Sequence, residues 1–154
     1  MSDTENFHFV FPLRIYVEDT DAGGIVYYVN YLKFMERART EFIRKLGFEQ
    51  KLGCFSENKS EIQFVVHSAD VKYLKPARMD MMVLVSVRLV KLARTYFILE
   101  QKVLEQNIPE QTAAAAEQLQ VFCSATVKIA CVSSGTFRPL HMPEQVMKGL
   151  QQYV

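Results

Sequence analysis

The chain has 154 residues, a size typical of one domain with a sizeable core, and its 49% hydrophobic and 23% charged fractions are those of an ordinary globular protein. A net charge of +1 gives no electrostatic reason to expect nucleic acid or an anionic membrane as a partner. No apolar run approaches the roughly 18 to 20 residues that cross a bilayer. The first residues also lack the pattern of a secretory signal. We therefore expect a single cytoplasmic domain over residues 1–154, without a transmembrane segment and with residues 1–6 disordered.

Neither the cysteines nor any short motif indicates a cofactor. Cys54, Cys123 and Cys131 are an odd number and lack CxxC spacing, so we expect buried apolar thiols instead of disulfides or a zinc site. The sequence contains no phosphate-binding loop, no metal-ligand cluster and no GxSxG elbow of a serine hydrolase. We expect no metal and no cofactor.

The first half of the chain predicts a strand, an acidic turn and a helix. Phe7–Glu18 is rich in Phe, Val, Ile and Tyr, and Pro12 favours an edge position for this strand. Asp19–Gly24 reads as a tight turn. Apolar residues then recur at helical spacing over Asn30–Leu46, with Asn30 as a candidate N-cap and Gly47 as the stop. The predicted buried stripe consists of Tyr31, Phe34, Met35, Ala38, Phe42 and Leu46.

The second half predicts an antiparallel sheet. A short helical turn at Phe48–Cys54 and a polar loop at Phe55–Ser60 precede it, and a long connection at 107–118 interrupts it. Ser133–Gly135 reads as a turn, and Pro143 starts a short terminal helix. Because one helix cannot cover both faces of such a sheet, we expect a curved sheet that wraps the helix and a second subunit over its edge or outer face. The predicted strands are Glu61–Leu74, Met82–Lys91, Ala93–Gln106 and Gln118–Val132.

Two stretches carry a family resemblance. The DTDAGGIVYY turn, the NY helix start and the ERARTE helix lie within residues 14–47, and VKYLKPARMDM occupies residues 71–81. Together they resemble the hot-dog-fold acyl-CoA thioesterases of the 4-hydroxybenzoyl-CoA thioesterase type, most closely the bacterial Tol-Pal-associated branch. The resemblance implies an α+β hot-dog fold with one long central helix wrapped by a curved antiparallel β-sheet. It also implies acyl-CoA as substrate and a homo-oligomer, a dimer or further a tetramer.

The same resemblance points to Asp21 as the catalytic carboxylate. From the residues alone, Asp21 can instead stabilise a turn. Asp19, two positions earlier, is the weaker candidate because the chain is expected to turn between the two and the resemblance points to the second aspartate. Thioester hydrolysis can use such a carboxylate as nucleophile or as general base, and the sequence leaves both open. Gly23 and Gly24 are candidate substrate-binding positions because glycine allows close backbone approach or a positive φ, and steric permissiveness alone also explains them. Tyr28 stands where the Tol-Pal branch commonly has histidine, and it lines either the acyl pocket or a core or interface.

Coenzyme A carries phosphates, so its site needs cations. Arg94 with Thr95 is the preferred pair, since the family often uses this hairpin near the nucleotide. Lys91 and Arg78 are further candidates, and surface charge without function is the alternative for each.

Two other functions stay open at the sequence level. A hot-dog dehydratase typically needs a histidine paired with a carboxylate, and the Asp21 region contains none. A non-catalytic role as a partner of acyl carrier protein or of phospholipid-synthesis enzymes follows from the Tol-Pal resemblance only. The sequence does not determine the length of the acyl chain or the choice between CoA and carrier-protein thioesters.

Overall fold

The computed structural model describes residues 7–47, 62–106 and 120–154. Along these segments the order of strands and helices is the one that the sequence predicts. The elements are β1 Phe9–Arg14, α1 Tyr28–Lys45, β2 Ile62–Tyr73, β3 Met82–Leu92, β4 Tyr96–Glu105, β5 Val121–Ser133 and α2 Glu144–Gln151. Within the described segments, neither helix is long and apolar enough to cross a membrane.

The five strands form one antiparallel sheet in the order β1-β3-β4-β5-β2. Both edges are therefore formed by the strands that come first in the chain. Pro12 lies in β1 opposite Leu84, and its missing amide hydrogen is tolerated because, among the described strands, β1 pairs only with β3. The edge position predicted from Pro12 is confirmed.

One face of α1 packs against β1, β3 and β4 to form the core. Each fully buried aliphatic or aromatic side chain contributes about 1.5–3 kcal/mol, so this layer supplies much of the stability. The opposite face of α1 is exposed at Leu32, Lys33, Glu36 and Arg37, and the sheet of one chain thus covers only one side of the helix. The buried residues of α1 are Asn30, Tyr31, Phe34, Met35, Ala38, Phe42 and Ile43, and those of β3 are Val83, Val85, Ser86, Val87 and Leu89.

The helix starts two residues earlier than its pattern predicts. Tyr27 is the N-cap residue of α1, so the predicted N-cap, Asn30, lies inside the first turn. Its side-chain Nδ2 instead donates to the main-chain oxygen of Asp19 at 2.8 Å. The predicted stop is confirmed, because Gly47 follows the last turn with φ of 88°, which glycine adopts without strain.

The first strand ends earlier than predicted, at Arg14 instead of Glu18. Val17–Asp19 winds into a 3₁₀ turn, in which the carboxylate of Asp19 accepts a hydrogen bond from the amide of Tyr16 at 2.8 Å. In the second half, β4 begins at Tyr96 because residues 93–95 form the β3–β4 hairpin. The other strands agree closely with their predicted ranges.

Four predictions lie outside the described residues: disorder at 1–6, the helical turn at 48–54, the loop at 55–60 and the connection at 107–118. Cys54 lies outside as well. Cys123 and Cys131 are buried free thiols, as predicted. Burial raises the pKa of Cys123 to about 12 and that of Cys131 to about 11, so both remain protonated at neutral pH.

Candidate active site

Asp21 lies in a tight turn between the 3₁₀ turn and α1, here called the Asp21 turn (residues 20–26). Thr20 and Val26 face each other as an antiparallel bridge, and the amide of Asp21 donates to the carbonyl of Ile25 at 2.9 Å. The amide of Gly24 donates back to the Asp21 carbonyl at 3.0 Å, and its φ of 76° favours glycine. Asp21 itself is exposed. The local hydrogen bonds therefore present its carboxylate at the surface.

The two carboxylate oxygens of Asp21 have different surroundings. Oδ1 accepts a hydrogen bond from the amide of Gly23 at 2.8 Å, which orients the side chain. Among the described residues, Oδ2 has no hydrogen-bond partner. The turn-stabilising role that the residues alone suggested is thus present, and it occupies one oxygen while the second stays available for chemistry.

The main-chain oxygen of Asp19 ties the Asp21 turn to α1. This oxygen accepts hydrogen bonds from Asn30 Nδ2 at 2.8 Å and from the amide of Tyr27 at 3.0 Å. The carboxylate of Asp19 is used by the amide of Tyr16. The structural role favoured for Asp19 is confirmed, and Asp21 is held in a fixed place relative to the helix.

The first turn of α1 carries amides without acceptors. Tyr27 provides no side-chain cap, and the amides of Tyr28 and Val29 have no acceptor within the described part of the chain. Unpaired amides at the positive end of a helix dipole stabilise negative charge. An oxygen that gains charge during a reaction at Asp21 would find suitable donors here.

Four tyrosines form a cluster beside the Asp21 turn: Tyr27, Tyr28, Tyr31 and Tyr73, here called the tyrosine cluster. The ring centroids of Tyr28 and Tyr73 are 5.7 Å apart in an edge-to-face arrangement, and those of Tyr31 and Tyr73 are 5.9 Å apart. Tyr31 is buried and its hydroxyl accepts from the amide of Ala77 at 3.0 Å, whereas Tyr28 and Tyr73 are 56% and 46% exposed. The cluster therefore presents a partly open aromatic surface next to Asp21.

Burial raises the pKa of Tyr31, and the hydrogen bond from the Ala77 amide opposes the rise. The pKa of Tyr73 is also raised, by burial and by the neighbouring Cys123 and Tyr28. Both phenols are consequently neutral at neutral pH. The cluster can supply apolar contact and hydroxyl groups without adding negative charge beside the Asp21 carboxylate.

Arg94 and Thr95 lie at the opposite end of the sheet from Asp21. They belong to the hairpin after Leu92, whereas β3 begins at Met82 beside the residues that precede the Asp21 turn. β3 has 11 residues, and at about 3.3 Å per residue its ends are separated by roughly 30 Å. Within one chain, Arg94 and Thr95 do not form a common site with Asp21.

Arg78 is the sequence-predicted cation that the structure places near Asp21. Ile25 and Arg78 face each other as an antiparallel bridge, and the amide of Val26 donates to the Ala77 carbonyl at 2.9 Å. Arg78 is exposed. Lys91 lies at the hairpin end instead, with its ammonium 5.5 Å from the ring centroid of Tyr96. Only Arg78 among these candidates borders the Asp21 turn.

None of the chain's three histidines joins the Asp21 turn. His67 is exposed at a register shift in β2, and His141 is exposed before α2. The Nδ1 atom of His8 accepts from the amide of Leu89 at 2.9 Å. The residues that the structure describes also contain no group of three or more His, Cys, Asp or Glu arranged for a metal ion.

Sequence reasoning missed Tyr73 and assigned Asn30 the wrong role. Tyr73 is the last residue of β2, immediately before the LKPAR segment that returns beside the Asp21 turn. The sequence signal for Tyr73 was the family resemblance of residues 71–81, which indicates the segment but does not identify a particular side chain. Asn30 was noticed, but its long-range bond to Asp19 has no local signature.

The pattern of the Thioesterase-like superfamily matches residues 15–150, which include the Asp21 turn, α1, strands β2 to β5 and all but the last residue of α2. The chain belongs to the thioesterase-like superfamily, whose fold is the hot-dog fold.

Comparison with individual proteins gives the same family. The acyl-CoA thioesterase YbgC of Haemophilus influenzae is 34% identical over 138 residues, which cover 90% of this chain and 90% of that protein. The acyl-CoA thioester hydrolase YbgC of Escherichia coli O157:H7 is 31% identical over 144 residues, with coverage of 94% and 96%. The crystal structure of a probable thioesterase from Bartonella henselae has 30% identity and a TM-score of 0.69, with coverage of 90% and 99%. The predicted enzyme class is confirmed: the chain is a thioester hydrolase.

Proposed function

We propose that this protein hydrolyses acyl-CoA to a free acid and CoA, and that Asp21 supplies the reactive carboxylate. The observation that carries the proposal is the Asp21 turn, in which one carboxylate oxygen is fixed by Gly23 and the other is unpaired among the described residues. The relatives from Haemophilus influenzae and Escherichia coli are an acyl-CoA thioesterase and an acyl-CoA thioester hydrolase, which supports acyl-CoA as the substrate. Membership of the 4-hydroxybenzoyl-CoA thioesterase type and of its Tol-Pal-associated branch is proposed from the sequence resemblance.

The proposed chemistry uses the two features that meet at the start of α1. The amides of Tyr28 and Val29 polarise the thioester carbonyl and stabilise the negative charge that develops on its oxygen. Oδ2 of Asp21 then attacks the carbonyl carbon, which releases CoA thiolate and leaves a mixed anhydride that water hydrolyses. Alternatively, Oδ2 takes a proton from the water that attacks. Either route consumes one water and restores the carboxylate.

Three further residues bind substrate in this proposal. Gly23 and Gly24 keep the approach to the Asp21 carboxylate free of side chains, and no atom lies within 4 Å of where a Cβ of Gly24 would be. Tyr28 lines the acyl pocket together with Tyr73, which its ring contacts edge to face. A tyrosine at this place supplies an aromatic surface where the resembling branch commonly supplies a titratable histidine.

Arg94 and Thr95 are proposed to bind the nucleotide of CoA at a site whose Asp21 comes from a second copy of the chain. The roughly 30 Å along β3 argues against a shared site in one chain, and the exposed Arg94 side chain is available to a neighbour. Among the described residues, β1 and β2 form the edges of the sheet and one face of α1 is exposed, and both features favour a homo-oligomer, a dimer or a tetramer, in which the helix becomes fully enclosed. The cytoplasmic location and the contact with acyl carrier protein remain predictions from the sequence.

The test is thiol release from a panel of short, long and aromatic acyl-CoAs by the wild type and by Asp21→Asn. We expect the wild type to hydrolyse some of them. Asparagine keeps the Oδ1 contact with Gly23 but cannot act as nucleophile or base, so kcat should fall by about 10²- to 10⁴-fold or more. Circular dichroism and the thermal midpoint should be unchanged.

Asp19→Asn is the matched control, because its amide oxygen can still accept from Tyr16 and its carboxylate is not used in the reaction. It should retain activity. An Asp21→Asn protein with near-normal kcat would remove Asp21 from its role. A folded wild type without activity on any acyl-CoA would instead favour the carrier-protein role, which capture of acyl carrier protein then tests.

A further inference from the structure

Arg39 is a cation placed against the core. It lies on α1 and its Nη1 donates to the side-chain oxygen of Gln101 at 3.2 Å. Gln101 is fully buried in β4, and its Nε2 donates to the carbonyl of Met35 at 2.9 Å. This second bond fixes the amide, so that its oxygen faces the guanidinium. Gln101 therefore holds Arg39 in place with a neutral acceptor.

The charge of Arg39 is not neutralised within the described residues. Burial lowers the pKa of Arg39, and the nearby Glu36 partly opposes this. No described carboxylate forms a salt bridge with Arg39, and the carboxylate of Glu36 accepts from the hydroxyl of Thr40 at 2.9 Å. A desolvated cation is costly without an anion, and a guanidinium has five N–H donors, of which Gln101 uses one.

A cavity of about 140 Å³ opens between α1 and β2 beside Arg39. Its walls are mixed: apolar side chains come from Ile43, Phe64, Val66 and Ile129, and polar groups come from Arg39, Thr40 and the carboxylate of Glu36. At the Asp21 end, α1 and β2 meet through the rings of Tyr31 and Tyr73. Helix rise of about 1.5 Å per residue places Arg39 about 16 Å along α1 from Tyr28. Since α1 and β2 contribute residues to both, the cavity and the tyrosine cluster lie on the same face of the sheet.

We propose that Arg39 binds a carboxylate at the far end of the acyl group, and that the preferred substrates are acyl-CoAs whose chain ends in a carboxylate. The planar guanidinium matches a carboxylate in bidentate geometry, and the apolar side chains of the cavity accept the methylene groups before it. Glu36 is exposed, so solvent and salt screen its repulsion of the ligand. This inference rests on the proposed function, which supplies the thioester end of the substrate.

The test compares pairs of acyl-CoAs of equal length, with and without a terminal carboxylate, over a series of increasing lengths. We expect the wild type to prefer the carboxylated member at one length by about 10- to 100-fold in kcat/KM, the range for a hydrogen-bonded charge. Arg39→Gln should lose this preference through KM and keep its kcat on the uncharged members. Arg37→Gln, an exposed arginine of the same helix, should retain the preference.

The failures of the two proposals are distinguishable. If the wild type hydrolyses uncharged acyl-CoAs and shows no preference at any length, the inference is wrong and the proposed function stands. If it hydrolyses no acyl-CoA, calorimetric titration with linear dicarboxylates decides the inference alone. Binding that Arg39→Gln abolishes supports it, and absent or unaltered binding overturns it. If Arg39→Gln does not fold, Arg39→Lys replaces it: lysine keeps the charge but lacks the planar bidentate fork, so it should weaken the binding and reduce the preference, and unaltered binding would overturn the inference.

Discussion

The two neighbouring glycines of the Asp21 turn act on different properties. A Cβ atom at Gly23 would lie 3.2 Å from Oδ1 of Asp21, so this glycine protects the position of the carboxylate. Gly24 has open space around it but adopts φ of 76°, so it protects the backbone conformation. The sequence motif with two glycines does not show that the two positions differ in this way.

We predict that Gly23→Ala lowers kcat with little loss of stability, because the new methyl group displaces the Asp21 carboxylate. Gly24→Ala should lower the free energy of unfolding by about 1–2 kcal/mol, the cost of a left-handed conformation. Urea denaturation and steady-state kinetics measure the two effects. Gly135→Ala, at an open turn with no positive φ, is the control and should change neither. Equal effects of the first two substitutions on stability would contradict this division.

At this scale the sequence predicted the reactive candidate but not its surroundings. Spacing alone allowed either Asp19 or Asp21, and an expected turn between them together with the family resemblance favoured Asp21 before the structure assigned the Asp19 carboxylate to Tyr16. Arg39 was not among the candidate residues of the sequence analysis. Its contact with Gln101 joins residues 62 positions apart, and local pattern carries no information about such a distance.

At the scale of elements, His8 links three parts of the fold. Its Nδ1 accepts from the amide of Leu89, just before the register shift of β3, and its ring centroid lies 4.8 Å from that of Tyr153 after α2. A protonated Nδ1 cannot accept this hydrogen bond. Burial lowers the pKa of His8, and the cation of Arg88 lowers it further. The neutral ring is therefore the form that joins the elements.

We predict that this link weakens in acid. Because the folded-state pKa of His8 is below its unfolded value of about 6.5, its stabilisation is complete above that pH and is lost as pH falls through the folded-state pKa. The free energy of urea unfolding should decrease between about pH 7 and about pH 5. His8→Gln keeps an acceptor without titrating and should flatten the profile, whereas His141→Gln should not. An identical profile for His8→Gln would exclude the mechanism.

The elements themselves were largely predictable because their burial follows simple periods. Alternation in β3 and the stripe of α1 both correspond to one buried face. The errors in the predicted ranges fall at the ends of strands and helices, where single hydrogen bonds determine the first or last residue. Asp19 ends the extended chain by accepting from Tyr16, and the long-range bond of Asn30 accompanies a helix start at Tyr28.

At the scale of the whole molecule, the two ends of the sheet carry different residues of the proposed substrate site. The Asp21 turn lies near the first residue of β3 and Arg94 lies beyond its last residue, and these two ends of β3 are roughly 30 Å apart, although the sequence analysis assigned both residues to one substrate site. Strand order explains why pattern alone did not reveal this. The hairpin that contains Arg94 lies at the far end of β3. Periodicity predicts that a strand forms, but it does not predict which end of that strand lies near Asp21.

We predict that Arg94→Ala raises KM for acyl-CoA more than it lowers kcat, and that the defect can be complemented. In oligomers mixed from Asp21→Asn and Arg94→Ala chains, one site combines the intact Asp21 of one copy with the intact Arg94 of the other. That site should recover the wild-type KM. A KM that stays at the raised value would place Arg94 beside the Asp21 of its own chain. An unchanged KM in Arg94→Ala, together with a raised KM in Arg78→Ala, would make Arg78 the nucleotide-binding cation.

The position of Tyr73 has a consequence for how the protein behaves on dilution. Tyr73 is both the last residue of the edge strand β2 and a member of the tyrosine cluster. A neighbour that pairs along β2 must therefore also set the position of this ring beside Asp21. If copies of the chain pair along β2, assembly and turnover involve the same stretch of chain, and we expect the specific activity to depend on protein concentration.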